Sequence, residues 1–449
     1  MSATPGATAS FHSPPRHAQR LLRALSTLIA APATLAAAGP QVVEASRISA
    51  GDTAWMISAT ALVLLMTIPG LACFYAGMVR KKNVLATMTQ SFAVCALVSL
   101  LWVAIGYSLA FMPGTPWLGS LERLMMEGLV YLKEAGKVSV HHGATTIPES
   151  VFAMFQLTFA VITPALIAGA FAERMKFSAM LCFMALWSLL VYAPVAHWVW
   201  EPGGWLASMG ALDFAGGTVV HINAGAAGLM AAWMLGRREG YGQESFAPHN
   251  LALTLIGASL LWVGWFGFNA GSALAADGRA GLALLVTHVG AACAALSWML
   301  AEWLVRGRPS MLGLCSGAVA GLVAITPASG FVDVKGAMAI GAAAGIACYW
   351  GATGLKRLLG ADDSLDVWGV HGVGGLVGAL LTGLLARRSI GGADGDLATQ
   401  AIAAFAVLGY SLAASAVILK LVDWVVGLRV PAEHELDGLD LAQHGERLE

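Results

Sequence analysis

From residue 53 onward, long apolar segments alternate with short polar turns. A helix needs about 20 apolar residues to span the hydrocarbon core of a bilayer. Eleven segments have about that length: residues 53–79, 83–111, 148–171, 175–199, 215–236, 250–273, 280–305, 309–327, 335–356, 366–386 and 398–427. The only long connection, at residues 112–147, mixes acidic and basic residues. The pattern predicts an all-α polytopic membrane protein with eleven transmembrane helices.

The basic residues predict the orientation, because cytoplasmic loops of membrane proteins carry an excess of Lys and Arg. If the first helix starts outside, the inner turns receive most of them: Arg80, Lys81, Lys82, Arg174, Lys176, Arg237, Arg238, Arg306, Arg308, Lys356 and Arg357. The short outer turns receive only Arg279, Lys335, Arg387 and Arg388. We therefore predict the N-terminus outside and the C-terminus inside, with residues 428–449 as a polar cytoplasmic tail.

The first residues of the chain differ from the rest. Basic residues precede a short apolar stretch, which is followed by small residues around Ala36 and Ala38. This order is typical of a secretory signal peptide, and an uncleaved leader is the alternative. We interpret residues 1–38 as a signal peptide or leader and residues 39–52 as a short extracytoplasmic segment.

Composition narrows the function further. The chain is 58% hydrophobic and 11% charged, whereas soluble domains carry about 25% charged residues. The formal net charge of −1 disfavours nucleic acid as a partner. Six cysteines are scattered singly within apolar segments, which predicts neither a disulfide framework nor a zinc site. No metal or cofactor is expected.

Two pairs of motifs indicate an internal repeat. "VVHINAGAAG" and "GVHGVGGLVG" share the pattern V-H-x-x-x-G-x-x-G, and "PGLACFYAG" resembles "VGWFGFNAG". The first pair aligns His221, Gly225 and Gly228 with His371, Gly375 and Gly378. Because each copy has an odd number of helices, the second copy crosses the membrane in the opposite sense. We predict an inverted repeat of five helices at 53–236 and 250–386, followed by a last helix at 398–427.

Four histidines lie in or beside predicted helices, and two of them are paired by the repeat. Ionisable residues inside membranes are functional candidates, so we expect His221 and His371 to line a pathway, with packing as the alternative. The glycines near them are expected to allow close helix packing. His197 is expected in an interfacial aromatic belt, and His288 in the core, bonded to a neighbouring helix. No nucleophile–base pair or metal cluster accompanies the histidines, which disfavours an enzyme.

Seven motifs resemble those of the Amt branch of the Amt/Rh (ammonium transporter/Rhesus) family. The resemblance runs from about Gly51 to Gly445, and the motifs occur in the family's order: "FYAGMVRKKNVL", "FAERMKFSA", "GALDFAGGTVVHINAG", "GWFGFNAGS", "RPSMLG", "DVWGVHGVGG" and "GLRVPAEHELDGLDLAQHGE". The resemblance implies a homotrimer in the inner membrane of a bacterium, with one pore in each subunit. It also implies a PII-type signalling protein as a partner of the tail.

The resemblance assigns roles to individual residues. Trp200, Phe159 and Ser272 match an outer vestibule that binds ammonium, and Phe159 and Phe268 match the pair that blocks the pore below it. The remaining matches are the twin pore histidines, the inner pore residue and the structural acid of the family: His221, His371, Trp265 and Asp213. Two features depart from the family pattern: Glu201, expected at the vestibule rim, and Pro164, expected to kink the third helix.

The implied mechanism is that ammonium is bound, stripped of water and deprotonated, and that ammonia crosses an apolar pore. The proton is expected to travel separately, with help from the histidine pair. Two alternatives remain open: an Rh-like electroneutral ammonia channel, and an ammonium sensor with little flux. Sensors of this kind carry a long appended signalling domain, whereas about twenty polar residues follow Gly427 here.

Overall fold

The computed structural model of the protein describes residues 41–449, so the predicted leader at 1–38 lies outside the described residues. An apolar helix occupies each of the eleven predicted segments: α1 (Ala50–Met78), α2 (Lys81–Phe111), α3 (Glu149–Phe171), α4 (Phe177–Ser208), α5 (Gly217–Leu235), α6 (Leu251–Ala270), α7 (Gly278–Arg306), α8 (Met311–Ile325), α9 (Val334–Leu359), α10 (Trp368–Leu385) and α11 (Leu397–Val425). Regular helix in α4 ends at Trp200 and resumes for one turn at Trp205–Ser208.

Ten of these helices are long and apolar enough to cross a membrane, whereas α8 has 15 residues. The chain is therefore a multi-pass membrane protein. The count of eleven spans and the orientation of the termini stay predictions.

Polar side chains define where six of the helices begin. Each accepts a hydrogen bond from the backbone N–H three residues ahead, which has no partner within the first turn of the helix. These capping residues are Ser49, Asn250, Asp277, Ser310, Asp333 and Asp396. The caps place helix starts within a few residues of the predicted boundaries.

Packing places α3 and α5 at the centre of the bundle, where their residues are the most completely buried of all the spanning helices. Helix α7 packs along α8 and α9, and α11 packs against α5 and α10. Large apolar side chains on other helices face outward, for example Leu100, Leu304 and Trp424. An apolar exterior around a buried centre is what a lipid environment requires.

Several spanning helices contain π turns, in which an extra residue widens the helix. One pair lies in α5 and α10 (Gly217–Ile222 and Trp368–Gly372). In a second pair, α6 has a π turn at Phe266–Ala270 and α1 has a kink at Met66–Leu71, where Ile68 leaves the helical conformation. A third pair lies in α4 and α9. These three pairs lie in helices five apart, which supports the repeat predicted from the sequence. The π turn of α2 (Trp102–Gly106) has no counterpart in α7, which is regular α-helix throughout. Such turns are frequent at functional sites because they redirect side chains.

The long connection at 112–147 carries two small antiparallel sheets. One is three-stranded, in the order β1–β5–β4, and the other is the pair β2–β3. Their bounds are β1 (Val42–Glu44), β2 (Gly114–Thr115), β3 (Leu118–Gly119), β4 (Tyr131–Leu132) and β5 (Lys137–Ser139). The register pairs Val43 with Val138, so the described part of the N-terminal segment is held against this connection.

The polar tail folds onto the end of the bundle opposite this connection. It forms two short helices, α12 (Ala432–Asp437) and α13 (Leu439–His444). The backbone N–H of Leu439 donates to Asn83 (2.8 Å), and the backbone N–H of Ala86 donates to Asp440 (2.7 Å). The tail thus lies on the same face as the basic turns that the charge pattern places inside, which we call the tail face.

Candidate functional site

The two symmetry-related histidines meet in the centre of the bundle. His221 on α5 and His371 on α10 are both buried, and their Nδ1 atoms are 3.3 Å apart. Each lies inside one of the recurring π turns. A hydrogen bond between two Nδ1 atoms needs one donor and one acceptor, so a single proton occupies the space between the rings. The Nε2 atom of His221 has no hydrogen-bond partner in the described part of the chain.

Glycines allow this contact, as the sequence predicts. A Cβ atom on Gly225 would lie 2.4 Å from the backbone nitrogen of Gly372, and one on Gly375 would lie 2.9 Å from the carbonyl oxygen of Gly217. Real Cβ atoms do not approach backbone so closely, hence α5 and α10 cross at a distance that only glycine permits. That crossing brings the two imidazoles into contact.

The space beside the histidines is narrow and largely apolar. The His221 ring is nearly parallel to Trp265 (centroids 5.5 Å apart) and to Phe268 (6.0 Å). Trp265 is held in place because its indole N–H donates to Thr326 (2.9 Å). The cavity lined by these residues has a volume of ≈ 10 Å³, about that needed for a single water-sized molecule.

Two phenylalanines close the passage on the side away from the tail. The ring centroids of Phe159 and Phe268 are 4.3 Å apart, and both side chains are buried. Phe268 lies in the π turn of α6, and Phe159 projects from the central helix α3. A hydrated cation cannot pass between rings at van der Waals contact, so these side chains separate the cavity above them from the histidines.

Above the phenylalanines lies a larger cavity of ≈ 250 Å³, which we call the vestibule. Its walls include Trp200, Phe159 and Ser272, the three residues that the resemblance assigns to ammonium binding. Trp200 meets Phe159 edge to face, with ring centroids 5.7 Å apart. The hydroxyl of Ser272 donates to the Phe268 carbonyl (2.8 Å), which leaves the hydroxyl lone pairs free to accept a hydrogen bond.

Asp213 is a buried carboxylate that caps α5. It accepts hydrogen bonds from the backbone N–H groups of residues 216–219 and from the hydroxyl of Thr218. Burial raises the pKa of Asp213, and these hydrogen bonds oppose the rise. Because the Trp200 indole donates to the Asp213 carbonyl (3.0 Å), the same residue also orients a vestibule wall. Asp213 therefore links the start of the histidine helix to the vestibule.

Three expectations from the sequence need correction. Glu201 is buried rather than exposed at the vestibule rim, because it bonds to His142 (2.8 Å). His197 is also buried, with its ring nitrogens against the carbonyls of Ala110 and Thr115. His288 is exposed and packs beside Trp262 instead of bonding inside the core. Pro164 lies within the helix Glu149–Ile167, and its kink stays a prediction.

The structure also adds residues to the vestibule that sequence reasoning missed. Gln156 and Phe152 line the cavity, as does His141 from the long connection. Gln156 precedes Phe159 by one helical turn, and that spacing was the available signal for a shared face. Burial lowers the pKa of His141 to about 3, so its ring is neutral. His141 carries no sequence signal, since only the fold of the connection brings it to α4.

Fold and geometry thus define a multi-pass helical membrane protein with a narrow central passage, closed by aromatic rings and containing two touching histidines. The chain matches the Ammonium Transporter Family over residues 54–448. It belongs to that family.

Individual relatives agree with this assignment. An ammonium transporter of Bacillus subtilis is 48% identical over 88% of this chain and 98% of its own length. Ammonium transporter Amt1 of Archaeoglobus fulgidus is 46% identical, over 89% and 99%. The crystal structure of Saccharomyces cerevisiae Mep2 superposes with a TM-score of 0.79 at 34% identity, covering 86% of this chain and 89% of that one. A structure described as a sensor Amt protein superposes with a TM-score of 0.80 at 29% identity, over 88% and 98%.

Proposed function

We propose that this protein carries ammonium nitrogen across the membrane, taking it up as the ammonium ion and passing it through the centre as ammonia. The observation that carries the proposal is the order of sites along the passage. An aromatic vestibule is followed by a closed pair of phenylalanine rings, and then by a cavity for one small molecule beside two histidines. The sequence relatives named as ammonium transporters support the choice of substrate.

The vestibule suits a small cation. The faces of Trp200 and Phe159 attract a positive charge by about 0.5–2 kcal/mol, depending on solvation. Ser272 offers an oxygen lone pair to one N–H of the ion, because its own proton is engaged by Phe268. Ammonium can donate this hydrogen bond and potassium cannot, so the site discriminates by chemistry as well as by size.

The passage below the vestibule suits a neutral molecule. Moving a charge into an apolar, water-excluded space costs several kcal/mol or more, and the spanning segments place no carboxylate beside the histidines to offset that cost. Ammonium loses this charge by giving up a proton, after which ammonia resembles water in size. The touching imidazoles then offer one donor and one acceptor, and we propose that the proton crosses separately with their help.

Ammonium-evoked current tests the proposal. Purified protein is reconstituted into liposomes, and wild type is compared with His221→Ala and His371→Ala. We expect current in the wild type, and in both variants a loss of current or of ammonium-over-potassium selectivity. Unchanged current and selectivity in both variants would contradict the proposed pore. Ammonia permeation without any current would favour the electroneutral, Rh-like alternative.

A second candidate is an ammonium sensor with little flux, favoured by the likeness to the sensor Amt structure. Flux distinguishes the two functions: saturable binding of ammonium without measurable current or uptake would identify a sensor.

We also propose the assembly and location that the resemblance implies: a homotrimer in the inner membrane of a bacterium, with a PII-type protein bound at the tail face. The outward apolar side chains and the docked tail support these assignments. Mass measurement of the detergent-solubilised protein tests the trimer, and co-purification with a PII protein tests the partner.

A further inference from the structure

A second polar cluster lies beside the vestibule and plays no part in the mechanism above. It consists of His141, His142 and Glu201, which we call the histidine–glutamate cluster. Glu201 directly follows the vestibule residue Trp200, and the histidines come from the connection between α2 and α3. One ligand atom from each residue lies within 4.8 Å of the other two.

The carboxylate of Glu201 lacks a full complement of partners. Its side chain is 4% exposed, and its Oε1 atom is 2.8 Å from Nε2 of His142. Its Oε2 atom is buried and has no hydrogen-bond partner within residues 41–449. Among the described residues no Lys or Arg forms an ion pair with Glu201. Arg123, which lies on the same connection as His142, is paired with Glu149 instead (2.8 Å). A buried carboxylate with a free oxygen favours a cation at that position.

We propose that this cluster is a binding site for Zn²⁺ or a similar divalent transition metal. Imidazole nitrogen and carboxylate oxygen are ligands that Zn²⁺ prefers. Bond lengths of about 2.0–2.1 Å in tetrahedral geometry place neighbouring ligand atoms about 3.3 Å apart. The Nε2 atom of His142 is 2.8 Å from Oε1 of Glu201, and the Nε2 atom of His141 is 4.0 Å from Oε2, so the two histidines approach different oxygens of one carboxylate. Because the three ligand atoms lie within 4.8 Å of one another, a rearrangement of side chains would bring them onto one ion.

The three ligands do not contribute equally. His141 accepts a hydrogen bond from the backbone N–H of Gly143 (3.1 Å) and donates one to the Phe111 carbonyl (2.8 Å). Coordination through its Nε2 atom requires loss of the second bond. His142 and Glu201 only exchange the contact between them for bonds to the metal. They are therefore the principal ligands, with His141 third and water in the fourth position.

Metal binding has a consequence for transport, and this part rests on the proposed function. His141 and Trp200 both line the vestibule, so the metal lies beside the cavity that receives ammonium. A divalent ion beside the vestibule repels an arriving ammonium ion. Because the cluster is largely buried, salt in the solvent screens this repulsion only weakly. We expect Zn²⁺ to inhibit ammonium-evoked current.

Calorimetric titration with zinc sulfate tests the site directly. The protein is purified in detergent with any polyhistidine tag removed, and wild type is compared with His142→Gln, Glu201→Gln and His141→Gln. We expect saturable binding in the wild type, and an affinity at least about 10-fold weaker in each variant, with the smallest loss in His141→Gln. Glutamine at 142 keeps a donor to Glu201, so the fold is retained, as a thermal unfolding curve will show.

His434→Ala is the matched control, because it removes a histidine from the tail face, far from the vestibule. Its zinc affinity should equal that of the wild type. Absence of saturable binding in the wild type, or unchanged affinity in any of the three cluster variants, would overturn the proposed ligand set.

Transport is measured second, as current with and without Zn²⁺ in wild type and His142→Gln. We expect inhibition in the wild type and much weaker inhibition in the variant. If Zn²⁺ binds but leaves the wild-type current unchanged, the inhibitory role is wrong. If the wild type carries no ammonium current in the absence of metal, the proposed function fails, whereas the calorimetric result stands by itself.

Discussion

The two helices that carry the paired histidines are each preceded by an aspartate at the same spacing, but the two aspartates differ in their hydrogen bonds. Asp213 precedes His221 by eight residues at the vestibule end, and Asp363 precedes His371 by eight residues at the tail face. Both acids are buried, and both accept backbone hydrogen bonds at the start of a π turn. Asp213 accepts five hydrogen bonds, whereas Asp363 accepts one from Trp368 and leaves Oδ1 without a partner.

This difference shows that the repeat places both histidines in the same way, whereas the residues at the two ends of the passage make different contacts. At the vestibule end the acid orients Trp200, a residue that meets the substrate in our proposal. At the tail face the chain is instead held by ion pairs, such as Arg238 with Asp362 (2.8 Å) and Lys356 with Asp366 (2.8 Å). Four tests sharpen or break this comparison.

The largest effect is expected at the helix crossing shared by both halves. Gly225→Ala places a methyl group 2.4 Å from backbone, and Gly375→Ala places one 2.9 Å from backbone. We expect both to destabilise the protein by more than about 4 kcal/mol, with Gly225→Ala the worse. Thermal unfolding and yield in detergent measure this. Gly409→Ala on α11, where no atom lies within 4 Å, should leave stability unchanged or raise it by about 1 kcal/mol. Equal effects at 225 and 409 would refute the tight crossing.

A smaller effect is expected from neutralising each acid. Asp213→Asn turns an acceptor into an amide donor facing backbone N–H groups, and each mismatch costs about 1–3 kcal/mol. We expect ammonium-evoked current to fall by about 10-fold or more. Asp363→Asn keeps the one acceptor used by Trp368, so its current should stay within about 2-fold of wild type. A greater loss in Asp363→Asn than in Asp213→Asn would reverse the comparison.

His197 and His288, one in each half of the repeat, allow the effect of a buried histidine on stability to be compared with that of an exposed one. His197→Ala removes a buried ring whose nitrogens lie 3.1 Å and 2.8 Å from the carbonyl oxygens of Ala110 and Thr115, so we expect a loss of about 1–3 kcal/mol of stability. His288→Ala removes an exposed ring and should change stability by less than about 0.5 kcal/mol. Thermal unfolding of both variants in one detergent provides the measurement, and equal losses would argue against the buried position of His197.

The last test concerns the pH dependence of stability. Burial raises the pKa of Asp363 to about 6, above the ordinary value of 3.8. The folded protein therefore holds a proton that the unfolded chain releases between these values, so the stabilising effect of that proton is lost as the pH rises through 6. Asp363→Asn should raise the unfolding temperature relative to wild type at pH 7.5, with little gain near pH 4. An equal shift at both pH values would contradict the raised pKa.

Sequence reasoning reached much of the fold and the candidate site. Hydropathy located all eleven helical segments, and the matched V-H-x-x-x-G-x-x-G motifs singled out His221 and His371 before any contact was visible. It failed at residues whose surroundings come from distant segments. Glu201 looks exposed beside Pro202 and two glycines, yet it is buried by His142 from another connection. His288 looks like a core residue in an apolar helix, yet it faces outward.

The sequence by itself determined the membrane class, the helix positions, the family and the identity of the paired histidines. These properties depend on local composition and on motif spacing, and both can be read directly from the linear sequence. Only the tertiary structure decided that the imidazoles touch, that π turns present them, and that a histidine–glutamate cluster lies beside the vestibule. Such contacts join residues up to 150 positions apart. Their geometry depends on helix crossings a few ångströms wide, which no local pattern encodes.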